Sequence, residues 1–214
     1  MFTTKAAASE FIGGLSKPSK MPGKSFGISA ELCPTGSVLR DIEGSTCHKC
    51  YALKGAYTWH STVTAHDRRY SKLVEALRDT FTRDSWIAAM VRLMRDEEYF
   101  RWHDSGDLQN VQHLEMIVAV VRQTPDTKHW LPTREYSIVR EFLRTNTRPK
   151  NLIIRLSAQM IDAAPPAGFE HTSTVHKTGE AYGWDCPSRF QDNKCGPCRA
   201  CWDEEVFNVG YYAH

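Results

Sequence analysis

The stretch NLIIRLS, residues 151–157, carries aliphatic and β-branched side chains in an almost unbroken run and reads as a β-strand. Toward the N-terminus, REYSIVREFLR (134–144) places Ile138, Val139, Phe142 and Leu143 at helical spacing, and KHWLP (128–132) before it reads as another strand. Further back lies a helix with Leu108, Val111, Leu114, Ile117, Val118 and Val121 on one face, for which Asp107 is the expected N-cap. YFRWHD (99–104) suits a buried strand. A helix capped by Asp84 and carrying Ile87, Met90, Val91 and Met94 precedes it, and the helical pattern starts near Thr58. Toward the C-terminus, HTSTVH (171–176) is one more candidate strand.

Strands alternating with helices predict βαβ units and a parallel sheet. The expected fold is α/β, a small or partial (β/α) barrel-like parallel sheet of four to six strands; an open parallel sheet is the alternative. One domain of 214 residues is expected, since 41% hydrophobic residues can build a substantial core. Within it, residues 1–56 form a loop-rich cysteine segment around a short strand near 25–29. Residues 57–180 form the βα core, and residues 181–214 a cysteine-rich tail.

A net charge of +2 imposes no electrostatic preference for nucleic acid or membrane, although local clustering is left open. No apolar run reaches membrane-spanning length, and the N-terminus lacks a signal-peptide core. A cytoplasmic, reducing location is therefore expected. In that setting seven cysteines, an odd number, argue for metal or catalytic thiolates rather than disulfides.

In parallel α/β folds, residues just past the strand C-termini gather where ligands bind. Here they are His103, Asp104, Ser105 and Asp107, then Thr133, Arg134 and Glu135, then Ser157 and Gln159, and finally His176 and Lys177. Caps and turns favour such residues too. His103, Asp104, Asp107 and Arg134 are the candidate catalytic groups, and Ser105, Arg155 and Ser157 the candidate cofactor contacts. Arg155, inside an apolar strand, needs a partner or a ligand to offset its desolvation.

The cysteines fall into two sets. In CPSRFQDNKCGPCRAC, Cys195, Cys198 and Cys201 are each two residues apart, and eight residues separate Cys186 from Cys195. That spacing is typical of [4Fe–4S] ligation, and Gly196-Pro197 favours the turn that lets sulfurs converge. Four thiolates also suit zinc. In the first set, thirteen residues separate Cys33 from Cys47, and Cys50 follows in CHKCYA. Three thiolates leave one iron of a cubane open to water, a side chain or a chelator. Alternatively, His48 or His103 completes a zinc site there, or both sets share one cluster. The terminal YYAH either docks under the tail site or trails as a free end.

The first set is similar to the three-cysteine loops of radical S-adenosylmethionine (SAM) enzymes, a likeness that implies SAM at the open iron. Its first spacing is longer than in those loops, and WHDSGD (102–107) stands where a Gly-Gly-Glu-Pro segment is absent. The blocks KMPGKSFGISAELCPTGS (20–37), CHKCYALKGAY (47–57), FRWHDSGDLQN (100–110), WLPTRE (130–135), IIRLSA (153–158) and CRACWDEEVFNVGYYAH (198–214) resemble the phage family named after gene product 88. The short C…CxxCYA loop is also similar to phage proteins grouped with radical-SAM-like barrels. The resemblance implies a phage or prophage origin, and thus the host cytoplasm, without assigning an activity.

No phosphate-cradling or dinucleotide fingerprint occurs, and clustered cysteines argue against a lone Cys–His nucleophile. Tyr51, Tyr57, Trp59 and Tyr70 among Lys54, His60, Arg68 and Arg69 either clamp single-stranded nucleic acid or form an ordinary amphipathic helix. Two function classes follow: a radical-SAM-like enzyme with one or two [4Fe–4S] clusters, or a non-catalytic, redox-sensitive iron–sulfur protein that binds a host protein or nucleic acid. A zinc-stabilised binding protein is the third.

Overall fold

The computed structural model describes residues 2–213. In chain order the elements are α1 (Lys5–Ile12), β1 (Lys24–Phe26), α2 (Pro34–Leu39), α3 (His60–Arg78), α4 (Thr80–Met94) and β2 (Tyr99–Trp102). After them come α5 (Val111–Arg122), β3 (Lys128–Thr133), α6 (Tyr136–Thr145), β4 (Leu152–Ser157), β5 (Thr172–His176), β6 (Trp184–Asp185) and β7 (Asn208–Tyr212). The strands form one seven-stranded parallel sheet in the order β1-β2-β3-β4-β5-β7-β6. Five consecutive strands lying side by side in chain order is the arrangement of a partial β/α barrel, as expected. The strand count exceeds expectation because β6 and β7 lie within the cysteine-rich tail.

Strand pleating decides what each face meets. Phe26, Phe100, Trp102, Leu131, Leu152, Ile154 and Leu156 point to the helical side, where they join Trp86, Met90, Leu114, Ile117 and Phe142 in the main core. Burial of side chains this large is worth roughly 1.5–3 kcal/mol each before entropy is set against it. On that side His129 packs against Phe100 and Trp102, and its Nε2 lies 2.9 Å from Thr124 Oγ1.

The alternate residues face the other side, and there the tail covers the sheet. Trp130 and Val209 pack with Ala200, Cys201 and Trp202. Trp202 donates from Nε1 to Phe100 O at 2.9 Å. Arg155 anchors this layer. Its side chain is completely buried, and its five N–H groups meet main-chain carbonyls: Nε meets Cys201, Nη1 meets Thr172 and Val206, and Nη2 meets Ala200 and Asp203. The expectation that Arg155 contacts a cofactor is thereby corrected. Its desolvation is offset by four carbonyls of the tail and one of β5, which together use every donor the guanidinium has.

Several local expectations also differ. Asp79, not Asp84, caps α4, accepting from Thr82 N at 2.7 Å; Asp84 lies within the helix. Asn110, not Asp107, caps α5, accepting from His113 N at 2.8 Å. The strand expected at 25–29 is Lys24–Phe26. Leu143 is not buried but 46% exposed. The N-terminal segment read as loops also holds α1, whose Thr4 cap accepts from Ala7 N and whose Ala8 and Ile12 enter the main core.

Two outcomes test this packing. Arg155→Met leaves five carbonyls without their shared donor and should lower unfolding free energy by about 3–5 kcal/mol in urea titrations. Burial lowers the His129 pKa to about 3, so this side chain takes up a proton on unfolding below neutral pH. The unfolded state then binds more protons, and stability falls as pH falls from 7 to 5. His129→Gln should reduce that slope by up to about 1.4 kcal/mol per pH unit; an unchanged slope would remove His129 from the titration.

Candidate functional site

The loop between β1 and α3 carries the first three cysteines across the C-terminal ends of the strands. Its tethers run to three strand ends. Thr35 donates from N and Oγ1 to the two carboxylate oxygens of Glu135, at 2.8 and 2.7 Å, just past β3. Thr46 N donates to Gln159 O at 2.9 Å past β4, and Ser45 forms an antiparallel bridge with Met160. Arg134 Nε donates to Thr46 Oγ1 at 2.9 Å, and the Tyr51 and Tyr57 hydroxyls donate to Asp104 O past β2.

These tethers bring the thiols of Cys33, Cys47 and Cys50 close enough to act on one another electrostatically, with Asp107 and Arg134 beside them. Burial pushes the Cys33 and Cys47 thiols up, while the Arg134 guanidinium draws both down. Gly36 is the floor between two of the sulfurs. A Cβ there would lie 2.8 Å from Cys33 Cβ, 3.5 Å from Cys33 Sγ and 3.7 Å from Cys47 Sγ. A side chain at that position would occupy the space the thiols face.

Asp107 ties the strand ends together. Its Oδ1 accepts from Leu108 N and Thr133 Oγ1, and its Oδ2 from Arg134 N. Burial still raises its pKa to about 6. His103 adopts the left-handed region at φ 55°, a conformation that non-glycine residues rarely hold. Its ring packs edge-on against His113, with centroids 5.2 Å apart. Burial, then the neighbouring His113 and Arg101, keep its pKa well below the usual value. Both ring nitrogens of His103, Asp104 Oδ1 and Ser105 Oγ are buried without a hydrogen-bond partner. Ser157, by contrast, pairs with Ser173 through their hydroxyls at 2.9 Å. Thus His103, Asp104, Ser105, Asp107 and Arg134 gather under the cysteine loop, whereas Ser157 is engaged across β4 and β5.

The tail cysteines form a second group on the sheet face opposite the helices. Cys195 N donates to Lys20 O at 2.8 Å, and Cys198 N to Cys195 O at 3.1 Å, closing the turn at Gly196. Gly196 has φ 53°, a left-handed conformation that glycine holds without steric cost, and a Cβ there would displace the end of the Gln191 side chain, 2.2 Å away at Oε1. Cys186 acts electrostatically on Cys195 and Cys201, and Cys198 on Cys195. Burial pushes the Cys201 thiol up to about 12, against the 3.1 Å contact of its Sγ with Tyr211 Oη. Of the terminal YYAH, Tyr211 therefore docks at the tail thiols; His214 lies outside the described residues.

Both groups suit an iron–sulfur cluster in donor chemistry: they offer sulfur ligands, partly shielded from water, with glycines where space or a tight turn is needed. Among the described residues, no three His, Cys, Asp or Glu side chains close to the spacing of a single bound ion. Sequence reading missed Glu135 and Tyr51 as tethers and Tyr211 as a thiol partner. It also missed Arg101, although an arginine inside YFRW is the same signal that singled out Arg155.

The interleaved aromatics divide: Tyr70 lies in α3 and packs against the main core, as an amphipathic helix would place it, and Tyr57 is half-buried. Tyr51 and Trp59 precede α3 and are 56% and 65% exposed, with Lys49, Lys54 and His60 exposed around them. No helix among the described residues is long and apolar enough to cross a membrane.

No curated protein and no solved structure matches the chain. A family model described as gene product 88 matches residues 3–204, a span that takes in both cysteine groups and every strand-end residue described above. The chain belongs to the gene product 88 family.

Proposed function

We propose that this chain is an iron–sulfur protein that binds a [4Fe–4S] cluster through Cys186, Cys195, Cys198 and Cys201, with a second at Cys33, Cys47 and Cys50, and that it acts as a radical-SAM-like enzyme. The observation that carries the reading is the placement of three thiols, without a fourth, over the C-terminal ends of parallel strands, where α/β folds bind their ligands. A cluster with one open iron supplies one-electron transfer to a chelating ligand such as SAM.

The chain's own residues have roles that match. Arg134, held by Thr46, presents a cation beside the thiols and suits the carboxylate of such a ligand. Asp104, Ser105 and His103 offer buried polar atoms with no other partner. An unsatisfied buried group costs about 1–3 kcal/mol, which a hydrogen-bonding ligand would recover. The cysteine loop, tethered to the ends of β2, β3 and β4, shields the mouth from water.

A second reading, a non-catalytic redox-sensitive protein that engages nucleic acid or a host protein, is favoured by the exposed Tyr51 and Trp59 among lysines. A zinc-stabilised binding protein is the third reading, supported by the four-thiol tail.

Reconstituted, reduced protein should bind SAM and release 5′-deoxyadenosine or methionine; binding without either product, or no binding, rejects the enzyme. Equal affinity of cluster-loaded and cluster-free protein for single-stranded DNA would remove the redox-sensitive reading. Cys198→Ser should lose the tail's metal and lower the unfolding midpoint, because a structural metal site contributes folding free energy. Asp104→Asn should keep metal content intact while weakening SAM binding; loss of metal in that variant would place Asp104 in a cluster shell instead.

A further inference from the structure

Three side chains aligned across the sheet face under the tail share an unusual feature. Ser25 on β1 is in register with Arg101 on β2, and Arg101 with Trp130 on β3. Pleating turns all three away from the helical core that holds Phe26, Phe100 and Leu131. Each carries a buried donor with no acceptor: Ser25 Oγ, Arg101 Nε and Trp130 Nε1. Ser25 is completely buried and Trp130 is 6% exposed. Buried polar groups are almost always paired, so three adjacent orphans, each able to donate, call for an acceptor. Arg101 deepens the imbalance. Its guanidinium stacks 4.5 Å from the Trp130 ring, donates to Tyr51 Oη at 3.1 Å and His103 O at 3.4 Å, and forms no ion pair among the described residues.

Arg101 and Trp130 face the tail cysteines, and Ser25 continues the row on the same sheet face. Trp130 packs in the cluster that includes Cys186, Cys198 and Cys201. Arg101 reaches Met21 Sδ at 4.0 Å, next to Lys20, whose carbonyl holds Cys195 N, and its charge acts on the Cys195 thiol.

We propose that Ser25, Arg101 and Trp130 form a donor shelf for an anion rich in acceptor lone pairs, and that the occupant is the sulfur face of a cluster held by the tail cysteines. The proposal rests on the iron–sulfur reading of the tail. Thiolates and bridging sulfides accept hydrogen bonds, and such bonds, with a nearby cation, set cluster potentials. The three are positioning residues: they donate to the cluster's sulfurs without replacing a cysteine ligand. Arg101 also donates to Tyr51, one residue past Cys50, so the same guanidinium touches the segment that carries the other cysteine group.

The test uses full-length protein purified without oxygen, as wild type, Trp130→Phe, Ser25→Ala and Arg101→Gln. Ser25→Ala removes a single donor at nearly constant volume and Trp130→Phe removes the indole N–H while keeping an aromatic ring, so they guard against a misfolded Arg101→Gln. If the wild type holds iron and sulfide, the shelf predicts that the variants keep both while their Fe–S resonance Raman bands shift and their reduction potentials become more negative. Unchanged bands and potentials in all three would overturn it. If the wild type holds no iron and sulfide, the iron–sulfur reading fails, and inorganic phosphate becomes the probe for a free oxyanion on the same shelf. Phosphate that raises the wild-type melting temperature, but not that of Trp130→Phe or Arg101→Gln, keeps the shelf with a different occupant. No phosphate effect on the wild type overturns the shelf as well.

Discussion

A guanidinium buried without water must find an acceptor for every N–H it carries, and Arg155 finds all of them in the backbone. Four of its five acceptors belong to the tail segment Ala200–Val206, and the fifth is Thr172 on β5. One side chain therefore fixes where the tail lies against the sheet. From that follow the packing of Trp202 on Trp130 and Tyr99, the approach of Cys201 to Tyr211, and the burial of the sheet face that a closed barrel would fill with its own side chains. The tail is thus the second layer of the core and also the carrier of four thiols.

The opposite design governs the other cysteine group. There the loop is long and irregular, and its position comes from tethers to three successive strand ends rather than from a hydrophobic face. Glu135, Gln159 and Asp104 each hold a different part of the loop. The tethers use main-chain carbonyls and a carboxylate, while both ring nitrogens of His103, Asp104 Oδ1 and Ser105 Oγ stay without partners past the end of β2. Saturation at Arg155 and want of partners at the strand ends are the contrast expected between a structural centre and a place that receives a ligand. The left-handed His103 belongs to the second category, since such strain persists where surrounding structure imposes it.

Much of this is legible in the sequence. The strands at 99–102, 128–133 and 152–157 announce themselves through apolar runs, and the helices between them through periodicity. The two cysteine groups and the polar strand ends follow from spacing and topology. Other features rest on contacts between residues far apart in sequence. Nothing local distinguishes Asp107 as a tie between β2 and β3 from Asp107 as a helix cap, because both roles use a short carboxylate just after a strand. The acceptors of Arg155 are carbonyls, which have no sequence signature at all. β6 and β7 escaped notice because β6 is two residues long and β7 contains Gly210, so neither offers a β-branched run.

The central claim is that the two cysteine groups hold iron and sulfide, and the direct measurement is the iron, acid-labile sulfide and zinc content of protein purified without oxygen. The account predicts iron and sulfide in equal amounts, about four of each for every cluster, with little zinc. Zinc in stoichiometric amount without sulfide would contradict it and leave a zinc-stapled binding protein in its place.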